Sequence, residues 1–176
     1  MNALITAIEV PPSSRISHEL HGADFFDAYE MPFAHAGRSA LEIHLQVVSR
    51  TPAWINLMMA TRNRVVSFFG LKNLGHLGGV NNTKLAGAYC VGDRVGIFSL
   101  HSVSDDEIIL GDSDKHLDVK VSICKLVRED REFVAVTTVV HIHNLLGRVY
   151  MLFVVPFHRL IVPAVLVRAV ERGSAA

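Results

Sequence analysis

The last quarter of the chain constrains the fold more than any other part. Alternating residues over Glu132–His143 end at Asn144 and feed directly into NLLGRVYMLFVVPFHRLIVPAVLVRAV, which is apolar almost all the way round. Period-two alternation belongs to a strand with one buried face, and the following run reads as one long helix over 144–171. A sheet that ends in a single long helix can lay that helix back over itself and enclose an apolar chamber between the two.

The rest of the chain supplies the sheet. Arg94–Ser102, Glu107–Leu110 and His116–Lys125 also have strand character. The separators SVSDD, GDSD and VRED are short turn chemistry, so an antiparallel meander is expected. Asp24–Met31, with its aromatics and the Pro32 that follows, reads as a further strand. Asn2–Val10, stopped by Pro11 and Pro12, reads as an edge strand or extended arm within 1–22, and Ser13–Gly22 as loop. Arg38–Arg50 fits both periods and is taken as a helix. Thr51–Gly70 is the clearest helix, with Thr51 as N-cap, Pro52 at the first helical position and Gly70 at its end. Residues 71–92, carrying GHLGG and two asparagines, are expected to form a mobile loop. The whole is a single α+β domain over 1–176. It should have an antiparallel sheet of about five or six strands, two central helices and a long terminal helix over the sheet.

Half of the 176 residues are hydrophobic, only 19% are charged, and the mean hydropathy is +0.32. A soluble domain usually carries about a quarter charged residues, so the apolar excess must line a cavity, an interface or a membrane surface. Basic and acidic residues balance at 17 each and the basic ones are scattered, which argues against nucleic acid as a partner. Cys90 and Cys124 have no CxxC spacing and read as reduced, semi-buried thiols of a cytoplasmic protein. The N-terminal MNALITAIEVPPSS lacks the features of a signal peptide. His158 and Arg159 divide the terminal apolar run into Val149–Phe157 and Leu160–Val167. Neither piece reaches the roughly 20 residues that cross a bilayer, so no transmembrane segment is expected.

The segments GADFFDAY, TPAWINLMMATRNRVVSFFGLKNLG and NLLGRVYMLFVVPFHRLIVPAVL resemble the DUF2867 family of uncharacterised bacterial proteins. The RN element of the middle helix and the PFHR element of the terminal one are similar to the family's. The resemblance covers about Pro11 to Val170. It implies a helix-grip fold like that of START, Bet v 1 and polyketide-cyclase proteins, but no reaction. In some proteins this domain is fused behind a nucleotide-binding, sugar-epimerase-like domain. GHLGGVNNTK has neither Rossmann nor P-loop spacing, and no cofactor is expected.

Arg62 is the anomaly of the middle helix, because it falls within the arc of Trp54, Ile55, Met58, Met59, Val65, Val66 and Phe69. A guanidinium on a buried face needs an anionic partner, either Asp24, Asp27 or Asp93 within the chain or the carboxylate or phosphate of a ligand. His141 and His143 share one face of a strand, as half of a metal site would, with His101 and His116 as the available further ligands. The opposite face, with Val134, Val136, Thr138, Val140 and Ile142, suits the cavity side better and leaves both histidines near solvent, so no metal is expected. His158 reads either as a histidine bonded to a carbonyl or hydroxyl, or as an acid–base group lining the cavity. The acidic turns Ser104–Glu107 and Asp112–Asp114 lack calcium-loop spacing and read as solvated hairpin ends.

The first expectation is a small binding module for an apolar ligand, of lipid, polyketide or isoprenoid type. Val119, Val121, Thr138 and Val140 would form the sheet wall, with Phe98 and Leu100 beside them. Tyr150 and His158 would lie on the helix side, and Arg62 would anchor a negative head. The second is a cyclase, isomerase or hydratase working by proton transfer in the same cavity. The third is homodimerisation or membrane-surface docking through the terminal helix.

Overall fold

The computed structural model describes residues 5–49, 51–67 and 84–173, without the side chains at 62, 65–67 and 171–173. Seven antiparallel strands form one sheet: β1 (Thr6–Ala7), β2 (Phe25–Pro32), β3 (Arg94–Val95), β4 (Phe98–Val103), β5 (Glu107–Ser113), β6 (Leu117–Arg128) and β7 (Arg131–Ile142). Their order is β1-β2-β7-β6-β5-β4-β3, so the meander from β3 to β7 is consecutive and β2 closes onto the last strand. The count exceeds the expected five or six because Gly96, at φ 61°, turns the chain inside Arg94–Ser102 and makes a hairpin of one strand. Glu129 and Asp130 both take positive φ in the two-residue turn between β6 and β7, the conformation that matches the twist of a tight hairpin.

The helices are α1 (Ala40–Val48), α2 (Ala53–Ser67) and α3 (Leu145–Gly173). A reciprocal cap starts α1: Ser39 Oγ accepts from the Glu42 amide, and Glu42 Oε2 accepts from the Ser39 amide at 2.7 Å. That local signal decides a segment whose apolar spacing is ambiguous. Thr51 does not cap α2. Its hydroxyl donates to Val48 O at 2.7 Å and closes α1 instead, while the Pro52 carbonyl accepts from Ile55 N at 3.0 Å. On α2 the buried line is Ile55 and Asn63, whereas Trp54, expected inside, is exposed. The segment expected as loop contains a 3-10 turn at Arg15–Glu19. Most of the expected 71–92 loop lies outside the described residues.

Register sets the faces. Met31 lies opposite Val134, Val136 opposite Ile123, and Ile108 opposite Ile123. These side chains join Leu100, Leu110 and the α1 residues Leu41, Ile43 and Val47 in the core, along with Val165, Leu166 and Ala169 of α3. Each fully buried aliphatic side chain contributes about 1.5–3 kcal/mol. Alpha 1 packs on β5, β6 and α3, and α3 runs over β2, so the even-numbered face of β7 is the helix-covered one. His141 and His143 point the other way.

His44 of α1 keeps part of its surface in contact with solvent, but it is packed closely enough that burial pushes its imidazole down to about 4. The unfolded chain therefore binds the proton more tightly. Stability should fall as pH drops from about 6.5 towards 4, by up to about 3 kcal/mol. Urea midpoints across that window should decline less steeply for His44→Gln. Equal slopes for the two proteins would place the imidazole in water.

Candidate functional site

Beta 2 and α3 bring together the groups most capable of chemistry. Phe25, Asp27 and Tyr29 alternate onto the helix-covered face of β2, where Phe25 lies opposite Val140 and Asp27 opposite Thr138. His158 descends from α3, and its Nε2 lies 3.1 Å from Asp27 Oδ1. The Phe25 ring meets the imidazole edge-on, with centroids 5.7 Å apart. The two side chains are only 20% and 15% exposed. Asp27 Oδ2 is buried and has no well-formed hydrogen bond among the described residues. Tyr29 stands beside it; burial first, then the Asp27 charge, raises its phenol above the ordinary value. A carboxylate that orients an imidazole next to a phenol can hold a polar ligand atom or pass a proton. The Tyr29 phenol also interacts with the Asp27 carboxylate, and the lone pairs left over can accept from a ligand's donor.

The residues expected to line a cavity fall as follows. Thr138 and Val140 are buried beside the Asp27–His158 pair, and Val119 and Val121 lie opposite them on β6. Phe98 and Leu100 of β4 belong to the core further along the same face, with Leu100 fully enclosed. Tyr150 is half-buried on α3. The Arg62 side chain lies outside the described residues. Of the expected lining residues, His158, Thr138 and Val140 are the ones brought together around Asp27. Two surface depressions lie elsewhere: one of about 940 Å³ lined by residues such as Thr6, Glu30, Phe33 and Phe133, the other of about 360 Å³ along Ile142–Arg148. Sequence reasoning passed over Asp27 as a site residue, although DFFDAYE carried the signal: a carboxylate at the alternating position of an otherwise apolar strand face.

The second polar cluster is on the opposite face. Glu107, expected in a solvated hairpin end, is 5% exposed. Its Oε1 accepts from Ser14 and, at 2.6 Å, from Ser122; its Oε2 accepts from the Arg15 amide at 2.9 Å. Arg15 Nε stands 3.6 Å away. The carboxylate ties the 3-10 turn to the sheet, and its satisfied oxygens make it a structural anchor. Asp112 likewise leaves the solvated class, since its buried carboxylate pairs with Arg94 at 3.3 Å. Cys124 lies on this face, and burial, helped by Glu107, pushes its thiol up to about 11, which leaves it unreactive near neutral pH.

The HxH pair engages separate partners: His141 Nε2 lies 3.3 Å from His21 O, and His143 Nε2 lies 3.1 Å from Asp118. His116 is bonded to Asn144. Among the described residues, no three histidine, cysteine or acidic side chains converge to hold a metal ion. His158 and Arg159 leave α3 unbroken; by length and composition alone, Leu145–Val170 is long and apolar enough to cross a membrane.

No curated protein and no solved structure matches the chain. The model of the DUF2867 family, described as a protein of unknown function, matches residues 19–165 and so spans β2 to the last third of α3. With that match over most of its length, the chain belongs to the DUF2867 family.

Proposed function

We propose that the protein binds a small, mostly apolar molecule between the sheet and α3, in a helix-grip arrangement, with the molecule's polar end at Asp27 and His158. The observation that carries this reading is the Asp27–His158 pair enclosed beneath α3, with Oδ1 3.1 Å from Nε2, on an otherwise apolar strand face. Its surroundings are Phe25, Val140 and Thr138, which suit an apolar body carrying one hydroxyl or amine. Native mass spectrometry of the protein as purified, followed by denaturation, should release a stoichiometric lipid-like molecule. Asp27→Leu should lose it, and His158→Gln should weaken rebinding by about tenfold. An apo mass that takes up neither long-chain alcohols nor sterols would sink the reading.

A second reading, proton transfer in a cyclase, isomerase or hydratase, is favoured by one feature: His158 is oriented by a carboxylate that also interacts with the Tyr29 phenol. Turnover by this dyad would leave His158→Gln able to hold the ligand but unable to convert it. A variant that holds the ligand unchanged, like the wild type, would return the site to simple binding.

A further inference from the structure

The outward side of α3 is the largest uncovered apolar feature of the described surface. Leu145, Val149, Leu152, Phe153, Phe157 and Leu160 are between 44% and 75% exposed. At about 100° per residue they fall, with exposed Pro156, on a single arc of about 140°. The opposite arc, with Gly147, Met151, His158 and Val165, is the one turned to the protein. Over Leu145–Val170 only 17% of the most apolar window is buried, far less than a core helix would show. The stripe is about 22 Å long at 1.5 Å per residue. Its apolar area is on the order of 600 Å², as large as the biggest patch an ordinary monomer leaves open.

The charges beside the stripe identify what covers it. Arg148 and Arg159 are exposed, lie along the same edge of the arc, and make no ion pair among the described residues. Between Leu145 and Val170 every charged residue is an arginine, and the first carboxylate is Glu171. A second copy of this helix would bring arginines to arginines with no acid to meet them. An anionic lipid surface supplies both complements, hydrocarbon for the stripe and phosphate or carboxylate for the guanidinium groups. Half-buried Tyr150 lies near the opposite edge, at the depth where aromatic hydroxyls meet headgroups. The helix is also held along its length, by Gly147 against His116 at one end and by Val165–Val170 in the core at the other. Crossing the bilayer would strip it from the sheet, whereas lying in the surface leaves the fold intact.

We propose that the protein docks on anionic membrane surfaces through the outer face of α3, with the helix in the membrane plane and Arg148 and Arg159 reaching the headgroups. This inference does not depend on a ligand in the Asp27–His158 site. The test is flotation of the full chain with vesicles of phosphatidylcholine plus phosphatidylserine, and with phosphatidylcholine alone. The wild type should float with the anionic vesicles and lose about tenfold or more of that binding in high salt. Leu152→Ser with Phe153→Ser and Phe157→Ser should abolish flotation while the circular dichroism spectrum is unchanged. Arg148→Gln with Arg159→Gln, which leaves the stripe intact, should bind anionic vesicles about tenfold less and neutral ones equally. Failure of the wild type to float, or equal flotation on both vesicles, would overturn the proposal. So would a dimer in analytical ultracentrifugation that the triple serine variant dissociates.

Discussion

Gly147→Ala should destabilise the protein by about 3 kcal/mol, opposite in sign to the gain of about 1 kcal/mol that this change brings on an open helix surface. Gly147 lies in the first turn of α3, where a Cβ would stand 2.3 Å from His116 O and 2.9 Å from Ile142 Cγ2. The carbonyl cannot retreat cheaply, because it accepts the His143 amide at 2.9 Å. The helix must therefore lift at its start, where Asn144 Oδ1 accepts the Gly147 amide at 3.1 Å. Urea unfolding should show a lower midpoint with little change in slope. An unchanged or higher midpoint would mean that the start of α3 stands clear of the His116 carbonyl in solution.

The second large effect is expected at Glu107. Glu107→Ala removes the acceptor of two buried hydroxyls and of the Arg15 amide, and should cost about 3 kcal/mol. Glu107→Gln keeps the volume and one acceptor, and should cost about 1–2 kcal/mol. The loss should be local first. The 3-10 turn at Arg15–Glu19 packs on β6 and β7 with Ile16 fully buried, and this carboxylate of β5 ties its start to the sheet. Limited proteolysis should therefore cut the alanine variant within residues 11–22 under conditions that leave the wild type whole. Equal protection and equal midpoints would show that Ile16, the Arg15 bonds to Ser102 and Ser104 and the Glu19–Lys120 ion pair anchor the segment without Glu107.

Much of this architecture was legible in the residues. The meander could be read because β6 and β7 alternate over apolar positions, β5 carries a short apolar run and polar turns lie between them, and the even face of β7 is the one the helices cover. Alpha 1 could be read only with hesitation, since Leu41, Ile43, Leu45 and Val47 alternate like a strand; the Ser39–Glu42 cap resolves it. Glu107 was misread because it follows two exposed aspartates. Those two point out to Lys125, at 2.5 and 3.3 Å, whereas Glu107 begins β5 and turns inward. Of the Asp27–His158 pair only the histidine stood out, because a carboxylate on a short strand has no local mark of its partner.

The order of the elements, the strand faces and the helical end follow from the chain alone, because periodicity and turn chemistry act over a few residues. Tertiary structure alone decided that β2 closes onto β7, that His158 meets Asp27 across 131 positions, and that Glu107 is enclosed. It also decided which arc of an apolar helix stays uncovered. Alternation selects a face but not the neighbour across it; that choice depends on register and on how α3 lies over the sheet.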